Sequence, residues 1–152
     1  MTNVRNADPN CLYPPFRVKL EAGLAHCTAA GLGVYLFEGW RPASRQTELY
    51  AQGRTTPGKI VTESRAWESW HQYGLAADLA FGGPGRWTWD GPWQNVGAIM
   101  QGVGLEWYGA PKATFRELPH FQLTYGLDIA QMAKLAKADG VFAVWERAGA
   151  QP

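Results

Sequence analysis

The chain has 152 residues, 46% hydrophobic and 18% charged, enough for one compact core and too few for two ordinary domains, so residues 1–152 read as a single domain. Fourteen basic against thirteen acidic side chains give a formal charge of +1, which excludes bulk attraction to nucleic acid or to an anionic membrane as the means of choosing a partner. No apolar run approaches the roughly 20 residues that cross a bilayer, and residues 1–17 are polar where a signal peptide is apolar, so a soluble, cytoplasmic chain without signal peptide is expected, with Cys11 and Cys27 as reduced, packed thiols.

Residues 16–30 carry Val18, Leu20, Leu24 and Cys27 among polar neighbours, a spacing that predicts a helix stopped by Gly31. The β-prone run 33–40 predicts a buried strand broken by Pro42, and Ser44 is placed to cap a short helix over 45–52 that closes at Gly53. Residues 75–81 alternate Leu75, Ala77, Leu79 and Phe81 with Ala76, Asp78 and Ala80; a strand here buries the first set and presents Asp78 as the only charge on the other face. A Gly-rich loop over 82–92, a helix over 96–103, short strands at 105–108 and 120–123, and a helix over 129–138 complete an α+β order. The tryptophans between 67 and 93 admit two readings, core filling or a cleft wall against which a glycan or peptide stacks.

Of three histidines, His26 falls in the first helix and reads as a packed or solvated residue, whereas His71 and His120 sit in unusual contexts. A catalytic zinc takes three nitrogen or oxygen ligands and leaves one position for water, a set that His71, Asp78 and His120 supply. Asp78 follows His71 at an offset of seven positions, which in an unbroken strand puts them on opposite faces, so the chain must bend between them, and Gly74 is where it can. Zinc brings the pKa of its water to about 7, but peptide hydrolysis also needs a group that accepts a proton and returns it to the leaving amine. Glu117, three residues before His120 across Pro119, is the candidate; the bland alternative is a solvated carboxylate paired with Arg116 or Lys112. Arg41, ending the first strand, is placed to stabilise an oxyanion or anchor a carboxylate, or else merely to pair with Glu38 or Glu48.

Four segments in order, Gly39-Trp40-Arg41 with downstream Gln46, Ser69-x-His71-x-x-Gly74-x-Ala76-x-Asp78, the Gly-rich stretch 104–109 around Trp107, and Glu117-x-x-His120, resemble the zinc peptidases related to D-alanyl-D-alanine carboxypeptidases (VanY-like, hedgehog-like). The resemblance is most specific to phage endolysins and cell-wall enzymes that are L-alanyl-D-glutamate endopeptidases, and covers about residues 14–125. It implies a small antiparallel sheet flanked by helices, one Zn2+ held by His71, Asp78 and His120, Glu117 as base, and Arg41 as the catalytic and substrate-binding arginine. Gln46 corresponds to a polar neighbour of that arginine and Ser69 to a residue supporting the metal site; with Arg41 and Trp107 they form the implied substrate-binding set. The implied partner is the bacterial peptidoglycan stem peptide. The implied agent is a monomeric endolysin without a separate wall-binding domain, waiting in the host cytoplasm until the membrane is permeabilised.

This sequence departs from the pattern at Tyr108, where many endolysin relatives have Gly, and at Ala110-Pro111-Lys112, which lacks a tryptophan before Phe115. The alternative activity for the same metal set is a D-alanyl-D-alanine carboxypeptidase or dipeptidase. A non-catalytic zinc-containing binding module would have no use for Glu117.

Overall fold

The computed structural model describes residues 4–109 and 117–150. The departure at 110–112, Phe115, and the pairing of Glu117 with Arg116 or Lys112 lie outside the described residues. Helix α1 spans Pro14–Ala29, opening two residues before the expected start because a proline at the first helical position gives up no intrahelical hydrogen bond. It is followed by β1 (Val34–Glu38), α2 (Ala43–Ala51), a 3₁₀ turn (Trp70–Tyr73), β2 (Ala76–Phe81), α3 (Trp93–Gly102), β3 (Glu106–Trp107), β4 (His120–Gln122), α4 (Ile129–Asp139) and α5 (Val141–Gly149). The four strands form one antiparallel sheet in the order β1-β2-β4-β3.

The expected core face of β2 is correct. Leu75, Ala77, Leu79 and Phe81 join Phe121 of β4 in a cluster closed by Phe16, Leu20 and Cys27 of α1 and by Val96 and Met100 of α3. Each large side chain fully withdrawn from water here contributes roughly 1.5–3 kcal/mol. Cys11 and Cys27 are free thiols. No helix among the described residues is long and apolar enough to cross a membrane.

Several expectations are corrected. β1 is not a fully buried strand: it lies at the sheet edge, paired only with β2, and Tyr35, Leu36 and Phe37 between its buried ends are only partly buried. Ser44 caps nothing, since α2 already begins at Ala43 and no side chain caps it. Three elements were not expected: a short 3₁₀ turn at Pro9–Cys11, the 3₁₀ turn Trp70–Tyr73, and α5, whose Val141, Val144, Trp145 and Ala148 nevertheless repeat at helical spacing. α5 docks on the Trp70–Tyr73 turn, where the Trp145 indole donates to the Tyr73 carbonyl at 2.7 Å.

Asp78 is also not the sole charge on its face. Register pairs Leu36 with Leu79 but Glu38 with Asp78, so Phe37 is an extra residue in β1, a bulge of the kind that re-aims side chains beside functional sites. On the other side Asp78 pairs with His120. Glu38, Asp78 and His120 therefore stand in one row across three strands.

Candidate active site

Paired residues in neighbouring strands share a face and nearly touch, which is why Asp78 Oδ1 lies 3.1 Å from His120 Nδ1 without any long-range adjustment. His71 reaches the same carboxylate from outside the sheet. The 3₁₀ turn that carries it is fixed at its start by a reciprocal capping box between Ser69 and Gln72, and released at its end by Gly74 at φ 67°, a left-handed conformation that suits glycine. The chain thus bends at Gly74, as the spacing required, and puts His71 Nε2 3.4 Å from Asp78 Oδ2. Donor atoms of His71, Asp78 and His120 all lie within 4.8 Å of one another.

The second nitrogen of each imidazole tests whether this set suits a metal. His71 Nδ1 lies 2.7 Å from the Gly39 carbonyl oxygen, which only accepts, so Nδ1 carries the proton and a neutral ring offers its lone pair from Nε2. His120 Nε2 lies 2.8 Å from Gln122 Oε1, leaving Nδ1 as the free donor atom. Both free nitrogens face Asp78, and both rings are oriented through the opposite nitrogen, the usual outer arrangement of metal-ligating histidines. The residues fit a small cation that favours nitrogen and oxygen ligands.

Burial alone would raise the Asp78 carboxyl, but the facing imidazoles of His71 and His120 hold it well below the usual carboxylate range. Burial likewise opposes charge on His120, yet the Asp78 carboxylate, with Glu117 and Gln122, raises its pKa above the ordinary imidazole value. Glu38 follows the same pattern: burial opposes its charge, and contacts with Arg45 and Arg41 outweigh it and lower the pKa.

Arg41 both pairs with Glu38 and reaches the site. Its Nη2 lies 2.8 Å from Glu38 Oε2 and 3.2 Å from Asp78 Oδ2, and Nη1 donates to Gln46 Oε1 at 2.9 Å. Arg45 holds the other Glu38 oxygen. Glu117 stands apart from this network: its Oε2 is 3.8 Å from His120 Nδ1, and its side chain is 39% exposed. The Trp107 indole donates to the Leu118 carbonyl at 2.9 Å and the Leu79 amide to the Pro119 carbonyl at 3.0 Å, pinning the turn that presents Glu117 and His120.

A cleft of about 1000 Å³ opens over these groups, lined by Arg41, residues 61–64 and 68–71, Asp78, Trp89, Trp93, Tyr108, residues 117–120 and Gln122. Of the expected substrate contacts, Arg41 and Ser69 line it. Gln46 and Trp107 do not. Gln46 is fully buried, its amide donating to the Ser64 carbonyl at 2.6 Å and accepting from Arg41, so it holds the arginine in place. Trp107 is a core ring stacked on Phe121 and packed against Gly97, where α3 passes too close for any side chain.

Two cleft residues were not expected to act. Gln122 uses its oxygen on His120, so its amide nitrogen faces Tyr108 Oη at 2.9 Å and Glu106 Oε2 at 3.5 Å. Tyr108 accepts that hydrogen bond and stacks on the His120 ring, centroids 5.9 Å apart at 20°. Because its oxygen is already an acceptor toward Gln122, its own proton is free for another partner. Burial, with Glu106, raises the phenol pKa, so that proton stays in place at neutral pH. The residue that departs from the sequence pattern was thus a signal of its own.

A small α+β domain with a two-histidine, one-carboxylate site under an open cleft is the frame of a peptidase, and known proteins share both its sequence and its fold. The chain is 36% identical over 126 residues to the peptidoglycan L-alanyl-D-glutamate endopeptidase CwlK of Bacillus subtilis (strain 168), covering 76% of this chain and 75% of that one. Its fold matches the crystal structure of the Serratia marcescens L-Ala D-Glu endopeptidase ChiX with a TM-score of 0.56 at 19% identity, over 81% of this chain and 92% of that one. No protein-family model matches. The protein belongs to the VanY-like peptidase family that includes CwlK.

Proposed function

We propose that this protein is a zinc-dependent endopeptidase that hydrolyses the L-alanyl-D-glutamate bond of peptidoglycan stem peptides. The observation that carries the reading is Glu117 standing 3.8 Å from His120 at the lip of a cleft whose floor is the His71, Asp78 and His120 donor set. A pure binding site has no need of that carboxylate. The choice of bond is supported by the relatedness to CwlK.

His71 Nε2, an Asp78 oxygen and His120 Nδ1 would hold the ion, which when bound supplies Lewis acidity toward water and the scissile carbonyl. Glu117, the exposed carboxylate, accepts the proton of the attacking water and returns it to the leaving D-glutamate amine. Arg41 fixes the Asp78 carboxylate, and of its five N–H donors two make no hydrogen bond among the described residues: Nε–H, which is buried, and one on Nη1, which is available to the carbonyl oxygen as it gains charge. Tyr108, with its free phenolic proton, donates to the bound peptide. The likeness to the endolysin branch supports a role in phage release, with the enzyme reaching the wall from the host cytoplasm once the inner membrane is opened.

Mass analysis of products from purified wall tests the reading. The expected result is release of peptides that begin with D-glutamate while L-alanine stays on muramic acid. Loss of a single D-alanine from an otherwise attached stem would overturn it in favour of a D-alanyl-D-alanine carboxypeptidase.

A further inference from the structure

The mechanism leaves one group of side chains unused. Trp87 and Trp89 flank Thr88, which is clamped to β2 by two backbone hydrogen bonds with Phe81, each 3.0 Å. Being two residues apart on an extended segment, the two indoles turn to the same side. Their ring centroids lie 5.0 Å apart, and each meets Phe37, the bulge residue of β1, at 4.8 and 4.7 Å. Arg5 caps the group with its guanidinium 3.7 Å above the Phe37 ring. The Trp89 carbonyl accepts from the Trp93 indole at 2.7 Å, tying the loop to α3. The platform is therefore held from three sides, yet Trp87 and Trp89 remain 42% and 41% exposed.

Trp89 also lines the catalytic cleft, so the platform continues the floor on which the substrate lies. The chemistry of that substrate selects the occupant. In peptidoglycan the L-alanine nitrogen is amide-linked to the lactyl group of muramic acid, which places a sugar one residue from the L-alanyl-D-glutamate bond, within roughly 7 Å at extended-chain spacing. Beyond that bond the stem carries free carboxylates, which bare indole faces do not attract. The amide-linked muramyl residue and its N-acetylglucosaminyl neighbours are uncharged, with apolar C–H faces that lie flat on aromatic rings.

We propose that Phe37, Trp87 and Trp89 form a saccharide subsite that binds the glycan strand of the wall and so selects glycan-linked stems over free peptide. This rests on the endopeptidase reading. Steady-state kinetics of the zinc-loaded protein on a disaccharide-linked stem peptide and on the free peptide of the same sequence test it. The expected kcat/KM ratio favours the glycan-linked substrate by about tenfold or more. Trp87→Ala and Trp89→Ala should raise KM for the glycan-linked substrate and bring the ratio near one.

Wild-type cleavage of both substrates at equal kcat/KM overturns the subsite and leaves the endopeptidase reading standing; cleavage of neither overturns both. Equal losses on both substrates in the tryptophan variants, with unchanged thermal midpoints, also overturn it, because they assign the rings to the peptide. If either alanine variant fails to fold, quenching of wild-type tryptophan fluorescence by an N-acetylglucosamine tetramer decides the question: saturable quenching supports the subsite and its absence overturns it.

Discussion

Glu38 and Asp78 face each other across β1 and β2, two carboxylates in adjacent strands whose charges are reconciled by one Arg41 nitrogen placed 2.8 Å from the first and 3.2 Å from the second. Without that nitrogen the pair would repel, and Asp78, the carboxylate between the two histidines, would be the one free to swing. Gln46 in turn fixes Arg41, so the site stands on two buried side chains, Glu38 and Gln46, that do not line the cleft.

Removing the Glu38 charge tests this support. Its folded-state pKa is depressed, so its contribution is fully present above the unfolded value of about 4.3 and is lost as pH falls through the lower folded value. Glu38→Gln should cost about 3 kcal/mol at pH 7, or roughly 6–12 °C in thermal midpoint. The gap to the parent should begin to narrow once pH falls below the unfolded value and keep narrowing as the lower folded value is passed. Melts of chelator-treated protein across that range measure it, and a gap independent of pH would sink the assignment.

Glu117→Gln should lower kcat by about a hundredfold or more while zinc content stays at the parental level, as expected for a group that moves protons and holds no metal. Elemental analysis beside wall-lysis rates separates the two. Parental lysis by the variant would remove Glu117 from the mechanism.

Zinc and protons should compete at His120. Its raised pKa in the metal-free site means that near pH 6.5–7 more of it is protonated than of an ordinary imidazole, and that proton must leave before Nδ1 can ligate. Zinc uptake should therefore release protons, and affinity should fall as pH drops from 8 to 6. Titration calorimetry in buffers of different ionisation enthalpy reads the proton count. His120→Ala should abolish stoichiometric binding.

Tyr108→Phe keeps the ring on His120 and removes only the hydroxyl. A lost hydrogen bond to bound peptide should reduce kcat/KM about tenfold, with zinc stoichiometry unchanged. Unaltered kcat/KM would show that the phenol does not contact the substrate.

The candidate donor set of His71, Asp78 and His120, which the fold gathers within 4.8 Å, was legible because three residue types at permissive spacings sat inside recognisable motifs, and the bend at Gly74 followed from geometry alone. The pairing of Glu38 with Arg41 was among the readings open, but its place opposite Asp78 was hidden, because an extra residue in a strand leaves no periodic trace: alternation placed Glu38 with Val34 and Leu36 and said nothing of what lay opposite. Gln46 and Trp107 escape a sequence reading for a related reason. A motif tells that a polar or aromatic residue stands near a site, but whether it faces the cleft or props it from behind depends on packing between distant segments. The last helix is easily missed despite a regular repeat, since Gly140 ends α4 so cleanly that the chain beyond it resembles a tail.

The Phe37 bulge links two properties that would otherwise vary independently. One added residue turns Glu38 inward to the row it forms with Asp78 and His120 and leaves Phe37 against the exposed tryptophans. Edge strands usually accept insertions and deletions during evolution, but here losing the Phe37 codon would close the bulge and strip the platform of its third ring. Length variation in β1 should accordingly be rare among homologues that keep both features, and divergence in wall preference should arise in the 82–92 loop instead.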